Sequence, residues 1–116
     1  MSFIATQNKG FSLKFENGFS ISVQWGTMNY CEKKNIGTEY GYEMKKPTWE
    51  STSAEIAVFK GSDSTHPGGS EIIEIGEHDT VIGWLSADQV AKVIAIVSSS
   101  TTENEIKSKI KSLNIS

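Results

Sequence analysis

The sequence contains no arginine, and all eleven of its basic residues are lysines. Arginine is the usual residue for bidentate contacts with phosphate and for reading guanine. Its absence therefore argues against duplex DNA as a partner. The middle of the chain argues the same way, because residues 50–88 carry one lysine against eight acidic residues and such a stretch repels a phosphate backbone. The acidic stretch suits a basic partner or serves only to keep the chain in solution.

Cysteine and long apolar runs are also scarce. Cys31 is the single cysteine, which excludes an internal disulfide and a multi-cysteine zinc site. No run approaches ~18 consecutive apolar residues, and the N-terminus lacks a basic stretch followed by an apolar one. We therefore expect neither a membrane span nor a secretory signal. The length of 116 residues, 37% of them hydrophobic, predicts a single globular domain over residues 1–116.

Two strands with one apolar face each are predicted near the N-terminus. Phe11, Leu13 and Phe15 alternate with polar residues, and so do the apolar residues from Phe19 to Trp25. A two-residue turn at Asn17-Gly18 would mix the two faces. A three-residue loop, residues 16–18, places Phe15 opposite Phe19 and requires a left-handed conformation at Gly18. We therefore predict the three-residue loop.

Residues 26–52 show no sustained period and form a connection that is long for so small a domain. They hold all three tyrosines, one of the three tryptophans and the only cysteine. A long aromatic loop either folds over the sheet or forms a binding surface.

The second half of the chain predicts strands followed by helices. Strands are expected at residues 54–59, 71–75 and 80–85. A capping box, Ser86 to Gln89, then opens a helix, with a strand as the alternative because the segment is rich in β-branched residues. A second helix starts after Thr102. The predicted fold is α+β: a mostly antiparallel meander of about five strands, with one or two C-terminal helices on one face. Its parts are the N-terminal strands (1–25), the aromatic loop (26–52), further strands (53–85) and the helices (86–113).

Four pieces of the sequence together resemble a known group of proteins: NGFSISVQWG (17–26), NYC (29–31), AEIAV (54–58) and GWLSADQV (83–90). The chain is similar, from about Phe11 to Val97, to small uncharacterised proteins encoded by bacteriophages and prophages. The resemblance implies a protein that acts in the cytoplasm of a bacterial host, where small phage proteins often bind and block a host factor. The group supplies no catalytic residues to transfer.

The candidate binding residues lie in the aromatic loop. Aromatic side chains held on a loop serve as anchors for proteins and as stacking platforms for bases. Trp25 and Trp84 are instead expected to pack in the core, and Trp49 fits either role. The predicted partner-binding residues are Tyr30, Tyr40, Tyr42, Trp49, Lys33 and Lys34.

Catalytic and metal chemistry find little support in the sequence. Cys31 with His66 or His78 gives a possible dyad, but no motif of a cysteine enzyme surrounds them. The acidic turn formed by residues 74–79 matches no metal-ligand spacing. We therefore expect no catalytic site, no metal and no cofactor.

The leading hypothesis is a non-enzymatic, phage-type protein that captures a host protein or small ligand through the aromatic loop. One alternative is a binder of nucleotides or single-stranded nucleic acid that uses tyrosine stacking and lysines. Another is a small enzyme that uses Cys31 and a histidine. A homo-oligomer is also possible, because Val93 and Ile96 need cover that either the second helix or a partner subunit supplies.

Overall fold

The computed structural model describes residues 1–37, 39–61, 71–77 and 79–115. In this part of the chain strands precede two helices, and the α+β fold predicted from the sequence is confirmed. A short 3-10 helix, Tyr42–Lys45, interrupts the aromatic loop. In chain order the regular elements are β1 Ser2–Ala5, β2 Gly10–Lys14, β3 Phe19–Gln24, β4 Ala54–Lys60, β5 Glu71–Ile73, β6 Val81–Leu85, α1 Ala87–Ser99 and α2 Glu103–Ser112.

The strands form one antiparallel sheet in the order β1-β2-β3-β4-β5. Strand β6 also pairs with β4, so that β5 and β6 share one edge of that strand. β5 lies beside the second half of β4, from Val58 to Lys60. β6 lies beside the first half, from Ala54 to Ala57. The expected meander therefore holds from β1 to β5, and β6 departs from it by returning to β4.

The β2–β3 hairpin has the predicted register and loop. Leu13 lies opposite Ile21, the N–H of Phe15 donates to the carbonyl of Phe19 at 2.9 Å, and Gly18 has a φ of 90°. The side chain of Asn17 has a further role, since its Nδ2 donates to the carbonyls of Val97 and Ser100 at 2.8 Å each. The turn of the hairpin thereby satisfies carbonyl groups at the C-terminal end of α1.

Helix α1 begins at the predicted capping box, in which Ser86 and Gln89 each accept a hydrogen bond from the other's backbone N–H. It packs on β3 and β4, and α2 packs on α1. Val93 is fully buried, and so are Ile106 and Ile110 of α2. The second helix thus packs on the side of α1 for which the sequence left either this helix or a partner subunit as the cover. The core between helices and sheet is completed by Phe19, Ile21, Val23, Ile56, Val58, Ile73, Ile82 and Leu85.

Trp84 is not in the core, and the prediction that it packs there is wrong. Its side chain is 60% exposed. The register between β4 and β6 shifts between Ala54 and Ile56, and Trp84 has a φ of 61° in this bulge. Ile82 and Leu85, three residues apart, are consequently both buried, and Trp84 turns outward. A bulge of this kind breaks the period-2 alternation on which the expectation rested.

Candidate functional site

The start of the aromatic loop is fastened to strand β4 by a carboxylate. Glu55 accepts hydrogen bonds from the Asn29 side-chain amide at 3.1 Å and from the backbone N–H of Tyr30 at 3.2 Å. Asn29 in turn accepts from the N–H of Gly26 at 2.9 Å. These bonds fix the path of the chain as it leaves β3, so that Tyr30 extends from a defined backbone.

A buried glutamate joins the two halves of the loop. Glu43 is 2% exposed, and its Oε1 accepts from the N–H of Thr27 at 3.1 Å. Its other oxygen, Oε2, is buried without a hydrogen-bond partner among the described residues. Asn8, which precedes β2, donates to the carbonyls of Glu43 and Lys46 at 2.8 Å each. The loop is therefore packed onto the domain at several points along its length.

Trp25 and Trp49 hold the beginning and the end of the loop together. The indole N–H of Trp25 donates to the carbonyl of Trp49 at 3.0 Å, and the indole N–H of Trp49 donates to the carbonyl of Trp25 at 2.9 Å. Phe11 meets Trp25 edge to face at 6.0 Å between ring centroids. Tyr42 meets Trp49 in the same way at 5.9 Å. Four rings are thus connected across two strands and the loop.

A groove opens beside this cluster, and we refer to it as the Trp groove. Its volume is about 610 Å³. Side chains of β2 and β3, the segment 48–54 and helix α1 surround it. Its apolar lining consists of Phe11, Val23, Trp25, Trp49, Ala54, Leu85, Ala87, Val90, Ala91 and Ile94, and its polar lining of Thr48, Glu50, Ser51, Thr52 and Ser53.

Three of the predicted binding residues lie together near the Trp groove. Trp49 lines it, and Tyr42 packs against Trp49. The Nζ of Lys33 lies 5.6 Å from the centroid of the Trp49 ring. Tyr42 is half-buried and is covered in turn by Lys46, whose Nζ lies 4.1 Å from its ring centroid. Tyr42 is therefore part of the packing of the loop.

Tyr30 and Lys34 form a separate pair. The Nζ of Lys34 lies 4.9 Å from the ring centroid of Tyr30, and the Tyr30 side chain is 47% exposed. Tyr40 is 78% exposed, and its ring contacts no other ring in the described part of the chain. The structure therefore divides the three tyrosines among three different surroundings.

Cys31 is fully buried, and its thiol lies 3.5 Å from the carbonyl oxygen of Gly26. Burial raises the pKa of the Cys31 thiol above its usual value, which lowers the fraction of reactive thiolate at neutral pH. His66 and His78, the proposed partners of a dyad, lie outside the described residues. Inaccessibility and a raised pKa both make Cys31 a poor nucleophile.

Metal-binding groups and membrane-spanning helices were also sought among the described residues. None of them form a group of three or more histidine, cysteine or acidic side chains suited to a metal ion. His78, which the sequence places in the acidic turn, lies outside them. No helix in the same part of the chain has the length and apolar character needed to cross a membrane.

Most of the residues that line the Trp groove were not selected from the sequence as site residues. Phe11, Val90 and Ile94 follow the pattern of core residues, and they come from three distant parts of the chain. One signal was present: α1 is apolar on more than one side, and the side containing Ala91 and Ile94 lines the groove, with Ile94 also packing against the core. No protein-family model, curated protein or solved structure matches this chain.

Proposed function

We propose that this chain is a non-enzymatic binding protein that captures a small apolar ligand in the Trp groove. One observation carries the proposal: a groove of about 610 Å³ is lined on three sides by aromatic and aliphatic side chains. Ligand sites typically enclose about 300–1,000 Å³ and combine apolar walls with a few polar groups. The groove has this composition.

The groove is formed before any ligand arrives. Its floor belongs to the sheet, its helical wall is fixed by the capping box at Ser86, and its third wall is tied to the floor by Trp25 and Trp49. A site that does not rearrange loses less conformational entropy on binding. The rim, which includes Glu50, Ser51 and Thr52, offers hydrogen-bonding groups to a polar substituent of the ligand.

Non-enzymatic binding is better supported than cysteine chemistry. Cys31 is buried and does not line the Trp groove. The resemblance to phage proteins adds the expectation that the ligand belongs to the cytoplasm of a bacterial host, and that part of the proposal rests on the sequence pattern alone.

Fluorescence of the neutral dye N-phenyl-1-naphthylamine tests the proposal. The dye is small enough to enter the groove and emits more strongly in apolar surroundings. Ala91 is exposed on α1 and lines the groove, so that Ala91→Phe fills the groove without disturbing the core. Lys92 is also exposed but does not line the groove, and Lys92→Phe is the matched control.

We expect saturable enhancement of dye fluorescence by the wild-type protein, at least tenfold weaker affinity for Ala91→Phe, and unchanged affinity for Lys92→Phe. Equal affinity of the two variants would place the dye elsewhere and contradict the proposal. Absence of any enhancement would leave the groove as an interface for an apolar side chain of a protein and would likewise exclude the small ligand.

A further inference from the structure

Trp84 has a backbone conformation that a tryptophan rarely adopts. Its φ of 61° lies in the left-handed region, where the Cβ of any residue other than glycine crowds the following carbonyl. Such positions are usually occupied by glycine or asparagine. Strained residues of this kind persist only where the surrounding structure enforces them, and they cluster at functional sites.

Burial does not compensate for this strain. The bulge in β6 requires a left-handed residue at position 84 in order to direct both Ile82 and Leu85 into the core, and a glycine would meet that requirement. The indole instead remains 60% exposed and forms no hydrogen bond within the described part of the chain. Neither the backbone nor the packing of the domain explains a tryptophan at this position.

The backbone of Trp84 contacts that of Tyr30, a second exposed aromatic residue. The backbone N–H of Trp84 donates to the carbonyl of Tyr30 at 2.9 Å. The preceding residue, Gly83, allows the close approach, because a Cβ built there would be 2.5 Å from the Cβ of Tyr30. Glu55 and Asn29 fix Tyr30 from the other side. The backbones that carry these two exposed aromatic side chains are therefore held side by side by a strand and a fastened loop.

A lysine ammonium lies beside these rings. Lys34 lies over the ring of Tyr30 and forms no ion pair with any described residue. The carboxylate of Glu55 accepts hydrogen bonds from the Asn29 amide and the Tyr30 backbone N–H, and does not pair with the Lys34 ammonium. The surface thus combines ring faces for stacking with one ammonium group for an anion.

We propose that Tyr30, Trp84 and Lys34 form a binding site for a planar aromatic ring that bears an anionic group, with a free mononucleotide as its ligand. Exposed aromatic rings stack on bases of any sequence, and a lysine ammonium contacts phosphate as a point charge. A single unpaired lysine suits one phosphate. The net charge of −3 opposes a polyanionic strand. The site shares no residue with the Trp groove, and the two proposals stand independently.

The test follows the indole N–H signals of the three tryptophans in ¹⁵N-labelled protein by NMR, with Trp84→Phe to assign the signal of Trp84. Adenosine monophosphate, adenosine and ribose 5-phosphate are titrated separately. We expect the Trp84 signal to shift with the nucleotide and the nucleoside, with at least fivefold tighter binding of the nucleotide. Ribose 5-phosphate should not shift it.

Lys34→Gln should weaken binding of the nucleotide to the level of the nucleoside and leave the nucleoside unchanged. Tyr40→Ala is the matched control, because Tyr40 is an exposed tyrosine of the same loop, and it should bind as the wild type does. Equal affinity for adenosine and its monophosphate in the wild type would overturn the proposal. So would shifts confined to the signals of Trp25 and Trp49.

Trp84→Gly checks the premise that the tryptophan is strained. It should raise the urea midpoint of unfolding, because glycine adopts the left-handed conformation freely, and it should abolish the nucleotide-dependent shifts seen elsewhere on the surface. A lower midpoint would show that Trp84 stabilises the fold. That result, or retained nucleotide binding by this variant, would contradict the proposal.

Discussion

Trp25 and Trp49 each donate an indole N–H to the backbone carbonyl of the other. Trp25 directly follows β3, a strand of the groove floor, and Trp49 lies in the segment 48–54, which forms one of the groove walls. The pair closes the loop between them with two part-buried hydrogen bonds. The geometry of the groove and the stability of the loop therefore depend on the same contact.

Replacing Trp49 by phenylalanine should lower the free energy of unfolding by roughly 1–2 kcal/mol, because the Trp25 carbonyl loses its donor while a ring is retained. The measurement is urea denaturation followed by circular dichroism. Trp84→Phe, which removes an exposed indole without a hydrogen bond, should change the free energy by less than about 0.5 kcal/mol. Equal effects of the two substitutions would contradict the role assigned to the pair.

Tyr40 and Tyr42 should respond differently to alanine. Tyr42 packs on Trp49 and under Lys46, and its loss should cost roughly 1–2 kcal/mol of stability through the lost aromatic pair and buried area. Tyr40 is exposed, and Tyr40→Ala should leave the melting temperature unchanged within a degree or so, as is usual for surface positions. Thermal denaturation of the two variants side by side decides the matter. A larger loss for Tyr40→Ala would be inconsistent with the structure.

Gly18→Val should destabilise the domain by about 1–2 kcal/mol through backbone strain in the hairpin loop. A Cβ at this position would meet no atom within 4 Å, so that steric overlap with the rest of the domain does not contribute. Gly18→Asn is the control, because asparagine tolerates the left-handed region, and it should cost clearly less. Chemical denaturation of both variants gives the comparison. Equal losses would point to a cause other than the φ of 90°.

Glu105 predicts a dependence of stability on acid pH. Its hydrogen bond with the Lys109 ammonium, followed by that with the backbone N–H of Thr101, lowers the pKa of its carboxylate from 4.5 to about 2. A carboxylate whose pKa is lower in the folded than in the unfolded protein stabilises the fold at pH values above its unfolded-state pKa. This stabilisation is lost as the pH falls towards the folded-state pKa. The contribution is thus present above about pH 4.5 and is lost between about pH 4.5 and 2.

Melting temperatures of the wild type and of Glu105→Gln at several pH values test this dependence. The difference between the two proteins should be greatest near neutral pH and should shrink as the pH approaches 2. Glu16→Gln, which replaces an exposed glutamate outside any ion pair in the described part of the chain, should show no such convergence. A constant difference between wild type and Glu105→Gln would contradict the lowered pKa.

The sequence predicted those parts of the fold that local patterns determine. The register of the β2–β3 hairpin follows from the requirement that Phe15 and Phe19 share a face. The start of α1 follows from the capping residues Ser86 and Gln89. The exposure of Trp84 did not follow, because alternation along β6 places residue 84 on the buried face unless a bulge intervenes. The bulge depends on pairing with β4, which a local pattern does not contain.

The sites were less accessible to sequence reasoning than the fold. The aromatic loop was identified as the segment to examine, and Trp49, Tyr30 and Lys34 lie on its two candidate surfaces. Their separation into two surfaces depends on contacts between distant residues. Glu55, in β4, fixes Tyr30, and Glu43 fixes Thr27. The lining of the groove by Phe11 and Ile94 likewise arises only when strand and helix come together.

The two hydrogen bonds from Asn17 to the end of α1 span about 80 residues of the chain, and this span has a consequence during translation. Residues 10–24 leave the ribosome before residues 87–100 and possess the local signals for a hairpin. The face that this hairpin buries is covered only after residues 87–100 have emerged. Contacts between residues so far apart in sequence form slowly. Until they form, the apolar surface that they cover stays exposed and is prone to aggregate. The nascent chain should therefore attract chaperones through Phe19, Ile21 and Val23 until the helix arrives.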